Sequence, residues 1–236
     1  MKSYEQYLYI ISGLSNSGKT TFGRHLANNN DFIHIEASTV YKAEVQKVRY
    51  MYSGEESSLL NWMHIQSGFD FVEKAGVFPF LGTTHKNLVY TGARTATGIF
   101  SLRTKAHFNN IKTILIWIDS DVETCYERAI KRNRNKISSL NEFKNVDTDE
   151  CLCYYKQYGI LLADYVIHNS NTIDQYFKQI DLIVTNFLKV DRQLNEQIKL
   201  ALSDLDTKII ENNINYELIK EISLIRGLLL RKLQSK

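Results

Sequence analysis

The chain has 236 residues, 44% hydrophobic and 23% charged, with a net charge of +3. This balance excludes a disordered or fibrous chain and suits one large α/β domain, or one domain with an appendage; the charge is too mild to argue for a nucleic-acid partner. No run of about 18 or more apolar residues suggests a membrane span, and the polar residues 1–6 carry no signal peptide. Cys125, Cys151 and Cys153 lack zinc or redox spacing, so reduced thiols in a cytoplasmic protein are expected.

Residues 7–12 are apolar and β-prone, and Gly13-Leu14-Ser15-Asn16-Ser17-Gly18-Lys19-Thr20 follows at once. This run fits G-x-x-x-x-G-K-[ST], and residues 21–28 have the pattern of a helix leaving it. Strand, loop and helix in that order are the context a phosphate-binding loop requires. Gly13 and Gly18 permit tight turning, so that backbone N–H groups face inward as an anion nest. The helix beyond them aims its positive end at the same point. Lys19 would reach the β- and γ-phosphates, and the Thr20 hydroxyl would ligate Mg²⁺. The candidate nucleotide contacts are therefore Gly13, Ser15, Asn16, Ser17, Gly18, Lys19, Thr20 and Thr21, with ATP and Mg²⁺ as cofactors.

Further β-like segments lie at 32–36, 87–91, 112–118 and 164–168, separated by stretches of helical spacing. Such alternation implies a parallel sheet covered on both faces. The gap between Glu36 and Asn87 is too long for one crossover and is expected to hold helices near 41–50 and 59–74. An insertion at 37–86 is a natural place for a second substrate. Its aromatics Tyr41, Tyr50, Tyr52, Trp62 and Phe69 either stack on a base or belong to the core, and core is the commoner outcome.

At the end of the third strand, Val89-Tyr90-Thr91-Gly92-Ala93-Arg94 opens into a loop at the sheet's carboxyl edge, where ligands of parallel sheets sit. Arg94 there either clamps an acceptor or pairs with a surface carboxylate. After the fourth strand, Arg128, Lys131, Arg132, Arg134 and Lys136 cluster at a helix end. They form either a cationic lid over the phosphates or a solvated basic helix end. From Val190 onward the pattern is helical throughout, with apolar faces at Leu194–Ile209 spacing and again over 216–233. That hairpin either packs on the parent domain or meets an oligomer or protein partner.

Taken together, residues 13–20, 89–95, 117–120 with 127–132, and Leu-Ala-Asp-Tyr-Val-Ile-His-Asn-Ser-Asn-Thr (162–172) resemble the P-loop nucleotide kinases, in particular the dephospho-coenzyme A kinase and nucleoside-monophosphate kinase branch. The resemblance runs in order from about residue 6 to 188. It implies a P-loop NTPase fold with five parallel strands in a domain spanning 1–189, followed by a helical extension over 190–236. ATP would sit on the loop under a lid at 128–150, with Asn169 beside the adenine. Arg128, Arg132 and Arg134 would meet the migrating charge, and the acceptor would lie under the insertion near Arg94 and Glu36. Relatives often carry Asp where Thr91 stands, so Glu36 is expected to supply the carboxylate. Val146-Asp147-Thr148-Asp149-Glu150 keeps the lid's acids without its Arg. Two functions follow: ATP-dependent phosphoryl transfer to a small molecule such as a nucleotide or coenzyme precursor, or an ATP-binding regulatory or scaffold protein that transfers phosphate poorly and uses its helical tail for a partner. A polynucleotide kinase is disfavoured by the low charge.

Overall fold

The computed structural model describes residues 6–132, 139–154 and 158–186. Five strands, β1 (Tyr7–Gly13), β2 (Ile33–Glu36), β3 (Leu88–Thr91), β4 (Lys112–Asp119) and β5 (Tyr165–His168), form one sheet in the order β2-β3-β1-β4-β5. All neighbours are parallel, and each strand lies within one residue of the span expected from sequence. The central strand is β1, which leads into the glycine-rich loop. The loop therefore emerges at the carboxyl edge between β3 and β4.

Alternation along the strands divides the core into two layers. Leu8, Ile10, Leu88, Tyr90, Leu115, Trp117 and Val166 pack with α5 (Ala96–Phe108) and α8 (Tyr158–Leu162) on one face. Tyr9, Ile11, Val89, Ile114, Ile116 and Ile167 pack with α1 (Lys19–Asn29) and α9 (Ile173–Asn186) on the other. Burial on both faces is why these strands read as nearly continuous apolar runs rather than alternating ones.

The insertion folds as α2 (Ala37–Val48), α3 (Glu56–Ser67) and α4 (Phe71–Gly76) around a small core of Leu59, Met63 and Phe71. The single helix expected over 59–74 is two helices. Gly68 adopts φ 86 and its N–H donates to His64 O at 2.9 Å, a positive-φ glycine ending α3 before the chain turns into α4. Beyond β4, α6 (Val122–Arg132) packs on α7 (Leu140–Tyr154) through the buried Cys125, Ala129 and Phe143. The helical extension expected over 190–236, the lid residue Arg134 and residues 187–189 lie outside the described residues. No helix among the described residues is long and apolar enough to cross a membrane.

Candidate functional site

The loop between β1 and α1 has the backbone its sequence anticipates. Gly13 has φ 141, Asn16 φ 59 and Gly18 φ 107. Asn is among the few non-glycine residues that tolerate the left-handed region. Both glycines are also needed for space. A Cβ at Gly13 would come 2.4 Å from Ile118 O on β4, and one at Gly18 would come 2.3 Å from the Asn169 side-chain nitrogen. Lys19 Nζ donates to Gly13 O at 2.9 Å and also to Leu14 O, folding over its own loop.

A cavity of about 200 Å³ opens above this loop. Gly13, Ser15, Asn16, Gly18, Lys19, Thr20 and Thr21 line it from the loop side, and Glu36, Thr91, Arg94 and Arg132 from the others. Three cations and one carboxylate thus surround the positive end of α1, a setting that favours a polyanion. Ser17 is different. It is fully buried beneath the loop, and its carbonyl accepts from Asn169 Nδ2 at 2.7 Å.

On one side of the cavity Thr20 Oγ1 donates to Glu36 Oε1 at 3.0 Å, and Ser38 Oγ donates to the same oxygen at 3.1 Å. Glu36 ends β2 and pairs in register with Thr91 at the end of β3. Thr91 is buried and shares a 2.8 Å hydrogen bond with His34 Nε2. Burial lowers the His34 pKa, although the Glu36 carboxylate opposes that shift. The carboxylate at this edge is therefore on β2 rather than on β3. Among the described residues no cluster of three or more His, Cys, Asp or Glu is poised to hold a metal alone. A hydroxyl and a carboxylate, both hard oxygen donors, fit Mg²⁺ that arrives with phosphates and retains waters.

The basic residues after β4 separate. Arg132, at the end of α6, lines the cavity. Arg128 does not line it. Its guanidinium donates to Ser120 Oγ at 3.2 Å and to Asn169 O at 2.9 Å, joining α6 to the segment after β5. Asn169, expected beside an adenine, is 5% exposed and braces the loop from below through Ser17. Tyr176 on α9 adds a second brace, its hydroxyl donating to Gly18 O at 3.1 Å. Sequence reasoning missed Tyr176 because nothing local connects a tyrosine on the last described helix to a loop 158 residues earlier. Arg103, close in sequence to Arg94, pairs with Asp164 at 2.8 Å and anchors α5 to the start of β5.

A second cavity of about 270 Å³ adjoins the first, sharing Ala37, Ser38, Gly92 and Arg94 with it. It is walled by α2, α3, α4 and the β3–α5 segment. Gly92, at φ 94, makes the close approach possible, since a Cβ there would come 3.2 Å from Ala37 Cβ. Thr95 Oγ1 caps α5 by accepting from Gly98 N at 2.9 Å and donates to Phe69 O at 3.1 Å, fixing the far wall. The insertion's aromatics divide. Tyr41 and Phe69 line the cavity, Tyr52 and Trp62 pack together 5.4 Å apart in the insertion's own core, and Tyr50 is exposed. Two residues without any motif also line it: His64 and the nearly buried Glu73.

No protein-family model matches the chain, and no curated protein matches it by sequence. Solved structures do match. A protein of Chloroflexus aurantiacus, provisionally described as a kinase, is similar over 78% of this chain and 96% of its own, at 10% identity and a TM-score of 0.54. A gluconokinase from Sinorhizobium meliloti matches over 82% and 98% at 11% identity (TM-score 0.47), and a shikimate kinase from Acinetobacter baumannii over 78% and 96% at 20% identity (TM-score 0.45). The architecture is that of the P-loop kinase fold.

Proposed function

We propose that the chain is an ATP-dependent kinase that transfers a phosphoryl group to a small molecule held in the second cavity. The observation that carries this reading is the adjacency of the two cavities. The cavity above the glycine-rich loop shares Ala37, Ser38, Gly92 and Arg94 with a second chamber of about 270 Å³. Mg-ATP supplies the γ-phosphoryl group and the charge-neutralising metal. The loop N–H groups and Lys19 would hold the phosphates, Thr20 and Glu36 would orient the metal and its waters, and Arg132 would face the charge that develops in transfer. Arg94, on the border, steers the acceptor oxygen toward phosphorus. That oxygen forms the new bond to the γ-phosphorus as the bond to the bridging oxygen breaks. The electron pair leaves on ADP and the acceptor's proton passes to solvent.

Positioning and electrostatics account for catalysis in such a site, since little covalent work falls to the protein. Lys19→Ala removes one cation while the N–H nest remains. Calorimetry on the full chain is expected to show ATP affinity at least about tenfold lower, with circular dichroism unchanged, in keeping with a lost charge-assisted contact of about 1.5–3 kcal/mol. Equal ATP affinity in the variant overturns the reading. An ATP-consumption screen over nucleosides, nucleotides and coenzyme precursors tests the transfer itself. Tight ATP binding without product from any acceptor would favour the regulatory alternative.

A further inference from the structure

The second cavity has a chemistry of its own. Tyr41, Leu60, Phe69, Phe71 and Val72 give it an apolar wall, and Lys42 and His64 line it as well. His64 and Phe69 stack with ring centroids 4.5 Å apart and 17° between planes, and Phe71 stands edge-on to His64 at 5.4 Å. Flat apolar walls of this kind reward a flat ring, because offset and edge contacts add to simple burial.

One acid interrupts this wall. Glu73 on α4 is 4% exposed, lines this cavity and not the phosphate cavity, and accepts from the Tyr90 hydroxyl at 2.8 Å. Gly98 makes room for it, since a Cβ there would fall 2.6 Å from the carboxyl carbon. Lys74, the next residue, pairs instead with Asp70 at 2.8 Å. Asp70 also accepts from Ser101 at 2.6 Å. Burial pushes the Glu73 carboxyl up to about 6, against the lowering effect of the Tyr90 hydrogen bond and with Asp70 adding to the rise. A carboxyl group in an apolar chamber discriminates sharply. It repels a carboxylate or phosphate brought near it and rewards an N–H or O–H donor, which relieves the cost of its burial.

The cavity's two ends therefore ask for different things. The end shared with the phosphate cavity offers Ser38 and Arg94, and the remainder offers rings, Lys42 and Glu73. We infer that the acceptor is a nucleoside-like heteroaromatic alcohol, whose ring packs among Tyr41, Phe69 and Phe71, donates N–H to Glu73, and presents its hydroxyl at the Ser38–Arg94 border. This assignment rests on the kinase reading for the hydroxyl's role, but the ring-and-acid recognition stands without it. A sugar acid is a poorer match: Lys42 and Arg94 could meet its charge, but it offers no flat ring to the aromatic wall and sets its hydroxyls against apolar side chains.

The test is calorimetry on the full chain with adenosine, guanosine, cytidine and thymidine, and separately with shikimate and gluconate, each with and without a non-hydrolysable ATP analogue and Mg²⁺. Glu73→Gln keeps the size and can still accept from Tyr90. Phe69→Ser changes a half-exposed ring, so the fold is spared. At least one nucleoside is expected to bind, with affinity about tenfold lower in each variant, a loss of about 1.4 kcal/mol, and with analogue affinity unchanged. Binding of the acids alone, nucleoside affinity equal in wild type and both variants, or binding of no nucleoside overturns the assignment. Glu73-dependent nucleoside binding, with no phosphorylated nucleoside formed when Mg-ATP replaces the analogue, would sink the kinase reading and leave the ligand class standing.

Discussion

Thr20 Oγ1 donates to Glu36 Oε1 across 3.0 Å, which ties the first turn of α1 to the last residue of β2. The contact joins the residue after the loop lysine to the one carboxylate lining the phosphate cavity. On the proposed function, Glu36 is the acid placed to orient Mg²⁺ and its waters, while Thr91, one strand over, is bonded to His34.

Glu36→Gln should therefore lower Mg²⁺-dependent turnover by about 10–100-fold, the usual cost of losing a group that orients a metal's ligands. ATP affinity measured without Mg²⁺ should change little. A magnesium titration of the initial rate reads the effect directly. An unaltered magnesium requirement would remove Glu36 from the metal's surroundings.

Arg132 and Arg128 should behave oppositely although they lie one helical turn apart. Arg132→Ala should reduce kcat by about 100-fold, the scale of one lost transition-state donor, with a much smaller change in ATP affinity. Arg128→Ala should mainly lower the urea midpoint, because Ser120 Oγ loses the guanidinium and Asn169 O loses one of its two donors, keeping only Ser120 Oγ. A loss of kcat in Arg128→Ala at unchanged stability would restore that residue to the chemistry.

Asn169 carries two distinguishable expectations. As a brace, Asn169→Ala leaves the buried Ser17 carbonyl without its 2.7 Å donor, which costs about 1–3 kcal/mol of stability and weakens ATP and GTP alike. As a base neighbour it would instead alter the preference between them. Urea unfolding and paired ATP and GTP titrations separate the two, and a changed ATP-to-GTP ratio at wild-type stability would contradict the brace.

Glu73 should leave a signature in the pH dependence of stability. Its carboxyl moves from an ordinary value of 4.5 to about 6 on folding, so the folded chain holds the proton more tightly than the unfolded chain. Its contribution is therefore most favourable below about 4.5 and is lost as pH rises through about 6. Glu73→Gln removes this titration. The variant's stability relative to wild type should rise across that window by up to about 2 kcal/mol, the free energy of a shift of about 1.5 pH units. Urea unfolding at pH 4.5, 6 and 8 measures it, and a difference that stays flat with pH would show that burial does not hold the Glu73 proton.

The glycine-rich loop and its cavity were legible in the chain because their parts are contiguous. A glycine-rich loop between an apolar strand and a helix places its own N–H groups, its lysine and its threonine by local backbone geometry alone, and Gly13, Lys19 and Thr20 all line the cavity. The five parallel strands were legible too, because strands buried on both faces are written as short apolar runs. Tertiary structure decided what crosses the chain. It set Glu36 against Thr20, sent Arg132 to the cavity and Arg128 to the frame, and put Asn169 and Tyr176 under the loop. It also turned Glu73 and Tyr90, which belong to no motif, into the polar pair of an apolar chamber. Residue type and spacing record what a segment does with its own backbone. Which partner a buried carboxylate or guanidinium meets depends on packing between distant elements, because in a low-dielectric interior each such group must find its counterpart wherever the fold brings one.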